Sequence, residues 1–361
     1  MSHSGSRVVQ PLQQGAIDIV GDVHGEVDAL RSLVRQLGYD EGAGHPEGRH
    51  LVFVGDLCDR GPDSPAVLDL VLGWIGEGRA QGVLGNHELN VVLDAPKHGN
   101  GWYFDRNHDK HKGDFLHSNG ATESQRVEWR KSLEALPLAL ERADLRVVHA
   151  CWDQRAITAL GRREEGESRA STYAYYEGVA GTLLRETGVD HRAAAEIKQY
   201  RHVMEDPLAE VPLLAASAKE ALVRQNDNPL KVLTSGLEAA AKVPAFAGGK
   251  WRMTDRVRWW HQYHDAPAVV IGHYWRMDAR ATPSTVRGDW DDPLDDYGAY
   301  EWMGPARNVF CVDYSVGRRY TERAAGRKPP FESRLAVLRW PERELVFDDG
   351  ERVVTERYRA G

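Results

Sequence analysis

Three short segments constrain this chain more than any other feature: IVGDVHG (19–25), FVGDLCDRG (53–61) and VLGNHE (83–88). Each is an apolar, strand-type run followed at once by glycine and then by acidic, amide or imidazole side chains. Between the first two, EVDALRSLVRQLG (26–38) sets Val27, Leu30, Val34 and Leu37 at helical spacing and stops at Gly38. GPDSPAVLDLVLGWI reads as a helix start before the third. This alternation predicts a parallel α/β core. In such a sheet, loops after the strands' carboxyl ends gather at one edge, where ligands bind. Glycine leaves room for the tight turn and close backbone approach. Asp22, His24, Asp56, Asn86 and His87 would then converge although they lie far apart in sequence. Asp and His are oxygen and nitrogen donors that suit Mn, Fe or Zn.

Further strands are expected at LRVVHA (145–150), AVVIGH (268–273) and NVFCVDY (308–314), with a final hairpin or meander formed by RLAVLRW and ELVFDD. Residues 155–250 read as mainly helical and inserted within the fold, and the polar opening to Gly15 reads as frayed. The expected organisation is therefore a flexible N-terminus (1–15) and one catalytic domain (16–361) carrying that insertion. With 42% hydrophobic and 28% charged residues, the chain can bury a sizeable core. Its net charge of −8 gives no global pull toward nucleic acid or anionic membrane, so phosphate affinity has to come from local cations. Three cysteines (Cys58, Cys151, Cys311) without a CxxC pair argue for a reducing compartment. The N-terminus lacks a signal-type apolar core, and no apolar run is long enough to span a bilayer. The expectation is a cytoplasmic protein.

The three motifs resemble the metallophosphoesterase superfamily, specifically its phosphoprotein-phosphatase-like branch and bacterial members related to serine/threonine phosphatases and diadenosine tetraphosphate hydrolases. GDxHG, GDxxDRG and GNHE stand intact as Gly21–Gly25, Gly55–Gly61 and Gly85–Glu88. The likeness covers about 16–94, 143–151, 268–274 and, more loosely, 305–340. It implies a four-layer αββα sandwich with a dinuclear metal centre at the sheet edge. By position, Asp22 and His24 resemble ligands of a first metal, Asp56 the bridging carboxylate and Asn86 a ligand of the second. His149 in VVHAC and His273 in IGHYW resemble the two later histidine ligands. The implied cofactor is two divalent ions, with Mn expected and Fe, Zn, Ni or Co as alternatives.

The resemblance also implies how the reaction would run. Two cations at close range offset phosphate charge and acidify a bridging water, whose hydroxide attacks in line with the leaving oxygen. Arg60 would grip non-bridging oxygens through its paired donors. His87 would face the leaving oxygen as general acid, with Asp59 orienting its ring. Departures from the pattern are Ala150, Cys151 and Trp152 after His149, Leu84 before GNHE, and CVDYSVG near the C-terminus. The tail, with LAVLRW, is closer to bacterial members. The expected substrate is a phosphate monoester (phosphoprotein, nucleotide or small phosphoester), without membrane or specific nucleic-acid binding. A dinucleoside polyphosphate is the alternative, and a metal-binding pseudophosphatase is the reading from another class. Neither a P-loop nor a GxGxxG motif is present.

Two other stretches carry expectations. KHGNGWYFDRNHDKHKGDFLH (97–117) could be a substrate loop, with cations for phosphate and rings for a base, or a solvated surface loop. WRMTDRVRWWHQY (251–263) reads as a helix whose tryptophans pack in the core, with Arg252 and Arg256 as candidates to reach the site. Cys58 and Cys151 flank ligand positions and read as small buried hydrophobes rather than redox centres.

Overall fold

Two mixed sheets pack face to face. The first has strand order β1-β5-β6-β9-β10: β1 (Val9–Pro11), β5 (Ala139–Glu141), β6 (Leu145–Val148), β9 (Ala268–Ile271) and β10 (Val309–Cys311). The second has order β13-β12-β11-β2-β3-β4: β2 (Ile17–Val20), β3 (His50–Phe53), β4 (Ala80–Gly82), β11 (Ala336–Trp340), β12 (Glu344–Phe347) and β13 (Arg352–Val354). A separate antiparallel hairpin joins β7 (Glu238–Ala247) to β8 (Lys250–Arg256). The computed structural model describes residues 8–97, 99–104, 119–163, 167–247, 249–280 and 292–359.

Strand periodicity assigns the layers, because successive side chains point to opposite faces. Ile17 and Ile19 of β2, Val52 of β3, Val270 of β9 and Phe310 of β10 share one buried cluster between the sheets. Their alternates Val20, Phe53, Ile271 and Cys311 belong to a second cluster on the helix side. That side is covered by α1 (Val27–Gln36), α2 (Ser64–Gly76), α3 (Asn86–Val92) and α4 (Glu123–Ala135), among others. The outcome is the expected four-layer sandwich. Burying each large aliphatic side chain stabilises it by about 1.5–3 kcal/mol, which explains strands that are apolar on both faces. The exception is Asp18, fully buried on the helix side of β2. Arg49 pairs with both of its oxygens at 2.7 and 2.9 Å, and Tyr39 and Arg339 complete its partners.

β2, β3 and β4 run parallel, so their carboxyl ends open on one edge. β6, β9 and β10 are parallel in the facing sheet and bring their own following loops there. β11 and β12 form the expected antiparallel hairpin. Between β6 and β9 the chain builds α5 (Gln154–Gly161), α6 (Arg169–Glu186), α7 (Val189–Tyr200), α8 (Ala215–Asn226) and α9 (Pro229–Ser235). Their own clusters are small, such as Ala180, Leu184, Val189 and Val223. The short helix α10 (Arg319–Ala324) follows β10.

The structure corrects several expectations. Val9–Pro11 is not frayed: it pairs in parallel with β5, and Val8 and Leu12 anchor it in the core. Residues 251–263 are not a helix. Lys250–Arg256 is a strand, and Trp259–Gln262 is a single 3-10 turn. The tryptophan spacing in that stretch mimicked helical periodicity because Trp251 packs with the hairpin cluster whereas Trp259 and Trp260 enter the main core. Of the 97–117 stretch, residue 98 and residues 105–117 lie outside the described residues. Trp102 and Tyr103 are buried in the main core, so these rings are not presented to a base. No helix among the described residues is long and apolar enough to cross a membrane.

Candidate metal centre

The loops after β2, β3 and β4 meet because their glycines let backbones approach to contact. A Cβ on Gly55 would stand 2.6 Å from the Gly85 nitrogen, and one on Gly85 would stand 2.3 Å from the Asp56 nitrogen. Gly55 also has φ +99°, a conformation that L side chains rarely adopt. Neighbouring non-glycine residues share this strain: His24, Asp56, Asp59, Arg60 and His273 all have φ between 46° and 71°. Each such residue costs roughly 1–3 kcal/mol, so something must hold the loops in place.

Glu88 does so. Fully buried at the start of α3, its carboxylate accepts from the backbone N–H groups of Asp56 (2.8 Å), Leu57 (2.8 Å), Cys58 (3.2 Å) and Gly85 (3.1 Å). Hydrogen bonds to a charged acceptor are worth about 1.5–3 kcal/mol each, enough together to offset the strain. This clamp was visible only as the last letter of GNHE, and its role was not assigned from sequence.

The six candidate ligands converge. His24 and Asp56 offer donor atoms that, with His87, all lie within 4.8 Å of one another, and the same holds for Asp56, His149 and His273. Asp56 belongs to both groups, with Oδ1 3.3 Å from His149 Nε2 and Oδ2 3.8 Å from His24 Nε2. Asn86 Oδ1 lies 3.2 Å from His149 Nε2 and 2.9 Å from His273 Nδ1. Asp22 lies 3.9 Å from His24 Nε2 and accepts from the His273 backbone N–H.

Tautomers decide what this donor set can hold. His24 Nδ1 donates to the Cys58 carbonyl at 3.0 Å, and His149 Nδ1 donates to the Val54 carbonyl at 2.8 Å. Both Nε2 atoms then turn inward. At His149 that nitrogen faces the oxygens of Asp56 and Asn86, and although burial works against an imidazolium there, Asp56 raises its pKa, so positive charge is drawn to this point. Such an arrangement fits a cation between them. Burial, together with the charges of Asp313 and Asp56, raises the Asp22 carboxyl well above its usual range, again a site short of positive charge. Burial would also raise Asp56, but His149 and His87 hold it well below the carboxylate range. Burial and Arg60 keep His24 neutral, and burial and Arg256 do the same for His273, the form a metal ligand needs. The residues present fit divalent metal.

Beside this cluster, His87 Nδ1 lies 2.5 Å from Asp59 Oδ2, and Asp59 Oδ1 accepts from Trp102 Nε1 at 2.6 Å. His87 Nε2 thus faces the centre. Burial works against its imidazolium, but Asp56 and Asp59 outweigh Arg60 and raise its pKa. Arg60 donates to His24 Nε2 (2.8 Å) and sets its other terminal nitrogen 3.2 Å from His87 Nε2, and its guanidinium stacks 4.7 Å from the Trp275 ring centroid. Sequence reasoning missed Trp102, Trp275 and Asp313 as parts of the site. Asp313 accepts from the backbone N–H groups of Trp275 and Ser315 and so ties the loop after β9 to that after β10. Its position after the apolar run in CVDYSVG was the available signal; Trp102 had none.

Cys58, Cys151 and Cys311 are free and buried, and burial pushes all three thiols up, as befits packed side chains rather than reactive ones.

The family model described as calcineurin-like phosphoesterase matches residues 15–274. The chain is 51% identical over 73 residues to the asymmetrical bis(5'-nucleosyl)-tetraphosphatase PrpE of Halalkalibacterium halodurans, covering 19% of this chain and 30% of that protein. It is 47% identical over 75 residues to the PrpE of Bacillus subtilis, covering 20% and 31%. The chain therefore spans under a third of the length of these relatives. Among solved structures, a putative diadenosine tetraphosphatase aligns over 96% of this chain and 95% of its own at 15% identity, with a TM-score of 0.41.

Proposed function

Because the chain belongs to the calcineurin-like phosphoesterase family, we propose that it hydrolyses phosphate esters with two divalent metal ions held at the sheet edge. The observation that carries this reading is Asp56, shared by two buried donor groups. Asp22, His24 and Asp56 would hold one ion, and Asp56, Asn86, His149 and His273 the other. The chemistry that two bound divalent cations supply is Lewis acidity, which offsets phosphate charge and lowers the pKa of water. Mn²⁺ is the proposed activator, because mixed oxygen and nitrogen donors accept several first-row ions.

The chain's own residues do the rest. Arg60 presents two parallel donors to non-bridging phosphate oxygens, and the Trp275 ring beneath holds the planar guanidinium in orientation. His87 delivers a proton from Nε2 to the leaving oxygen. Asp59 keeps the other proton on Nδ1, and Trp102 keeps Asp59 in place. Phosphate monoesters, on protein or small molecule, are the proposed substrates. A dinucleoside polyphosphate is the second reading, supported by the names of the PrpE relatives. The three free cysteines support a reducing, cytoplasmic setting.

Protein stripped with chelator and reloaded with single metals tests this. Turnover should be recovered with Mn²⁺ on a panel of aryl phosphate, phosphopeptide, nucleotide and dinucleoside tetraphosphate. Full turnover by rigorously metal-free protein would overturn the mechanism.

A further inference from the structure

The hairpin formed by β7 and β8 carries a charge pattern that the reaction at the metal edge does not use. Alternate residues of a strand share a face, so Lys250, Arg252, Thr254 and Arg256 lie on one side of β8. Trp251 and Met253 lie on the other and join Val211, Leu214 and Ala218 in a small apolar cluster. The cationic face is thereby turned away from the hairpin's own core. Lys250 and Arg252 are exposed, and Arg256 is half-buried. Across the ladder, Ala245 stands opposite Arg252 and Ala240 opposite Thr254, while Glu238 stands opposite Arg256 and accepts from the Thr254 hydroxyl at 2.7 Å.

The inner end of this row touches the metal edge. Arg256 Nη1 donates to the His273 carbonyl at 3.3 Å, and its guanidinium lies 5.4 Å from the Tyr274 ring centroid. From residue 256 to residue 250 a strand covers about 20 Å. Cations therefore run along β8 from Arg256, beside the His273 backbone, to Lys250.

We propose that the Lys250, Arg252 and Arg256 face of β8 binds phosphoryl groups beyond the one held at the metal edge. The site then favours substrates in which several phosphates are linked in a chain. This rests on the phosphoesterase reading above. Linked phosphates match the face better than a phosphopeptide does. Guanidinium forks suit phosphate oxygens, and the opposing alanines offer no apolar pocket for a peptide side chain.

The test uses metal-loaded full-length protein with metal in excess. Orthophosphate, tripolyphosphate and a linear polyphosphate of about ten units, long enough for the ~20 Å row, are compared as inhibitors of aryl phosphate hydrolysis and, by calorimetry, as ligands. The ten-unit chain should bind more tightly than orthophosphate, and more so at low salt. In the double variant Lys250→Ala/Arg252→Ala that advantage should shrink by about tenfold or more, the worth of one to two charge-assisted contacts. Aryl phosphate turnover and orthophosphate binding should stay within about twofold. Arg252→Lys should retain part of the advantage, which a merely misfolded hairpin would not. Equal losses for all three anions, or none, would overturn the proposal. So would a loss confined to an acidic phosphopeptide. If the wild-type protein turns over no phosphoester with any metal, the phosphoesterase reading fails instead. The calorimetric comparison then still decides whether the hairpin binds linked phosphates.

Discussion

The metal edge and the β7–β8 hairpin both present charged side chains, yet they are built in opposite ways. At the edge, Asp22, His24, Asp56 and His149 are each at most 2% exposed and sit on strained, mutually bonded loops. On the hairpin, Lys250 and Arg252 stand exposed on a strand backed by a small cluster. Burial lets an interaction act at low dielectric, where a misplaced charge is costly and a well-placed one is strong. Exposure leaves each contact weak, screened by salt and replaceable. The difference teaches where chemistry and selectivity divide. Changes at the edge should affect every substrate, whereas changes on the hairpin should discriminate among them.

Asp56→Asn should break the edge most completely. Its two oxygens serve separate donor groups, and removing the charge also removes the counterweight to two cations. Turnover should fall by more than about a thousandfold on all substrates, with reduced metal content by elemental analysis. A loss confined to one substrate class would break the division between the two regions.

His87→Asn should come next and sharpen it. Metal content should be retained while turnover falls by about a hundredfold or more on esters with poor leaving groups. On an activated aryl phosphate the loss should be far smaller, because its leaving oxygen needs little protonation. If metal is lost instead, His87 is a ligand, a role its place within 4.8 Å of His24 and Asp56 also allows.

Trp102→Phe should have the smallest effect of the three. It keeps the buried ring and removes one hydrogen bond to Asp59. About tenfold should be lost in kcat on poor leaving groups, with KM unchanged and the activated ester spared. The acid limb of the pH profile should be left in place while the limb reporting protonated His87 moves to lower pH, since a freer Asp59 supports the imidazolium less. An unchanged profile with equal losses on both esters would make Trp102 a packing residue only.

Much of the edge was legible in sequence because each motif is local: strand, glycine and donors lie within six to nine residues. His149 and His273 were readable for the same reason, each closing an apolar run. What was not legible is instructive. Trp102 sits among residues that read as a substrate loop or a surface loop, and nothing near it in sequence indicates that its indole reaches Asp59, 43 positions earlier. The stretch 251–263 misled because aromatic spacing in one dimension cannot separate a helix stripe from a strand followed by a 3-10 turn. The edge strand Val9–Pro11 was hidden because a three-residue strand is stabilised by its partner β5 rather than by its own pattern.

Local pattern in the sequence was enough for a parallel α/β core, for the family and for singling out the candidate donor residues, because these depend on local periodicity and on residue type at short spacing. It took the tertiary structure to show that Glu88 clamps the loops after β3 and β4 together, that Trp102 reaches Asp59, and that Arg252 and Lys250 share a face with Arg256. Those facts depend on distances between residues far apart in the chain, which are not encoded in any one segment.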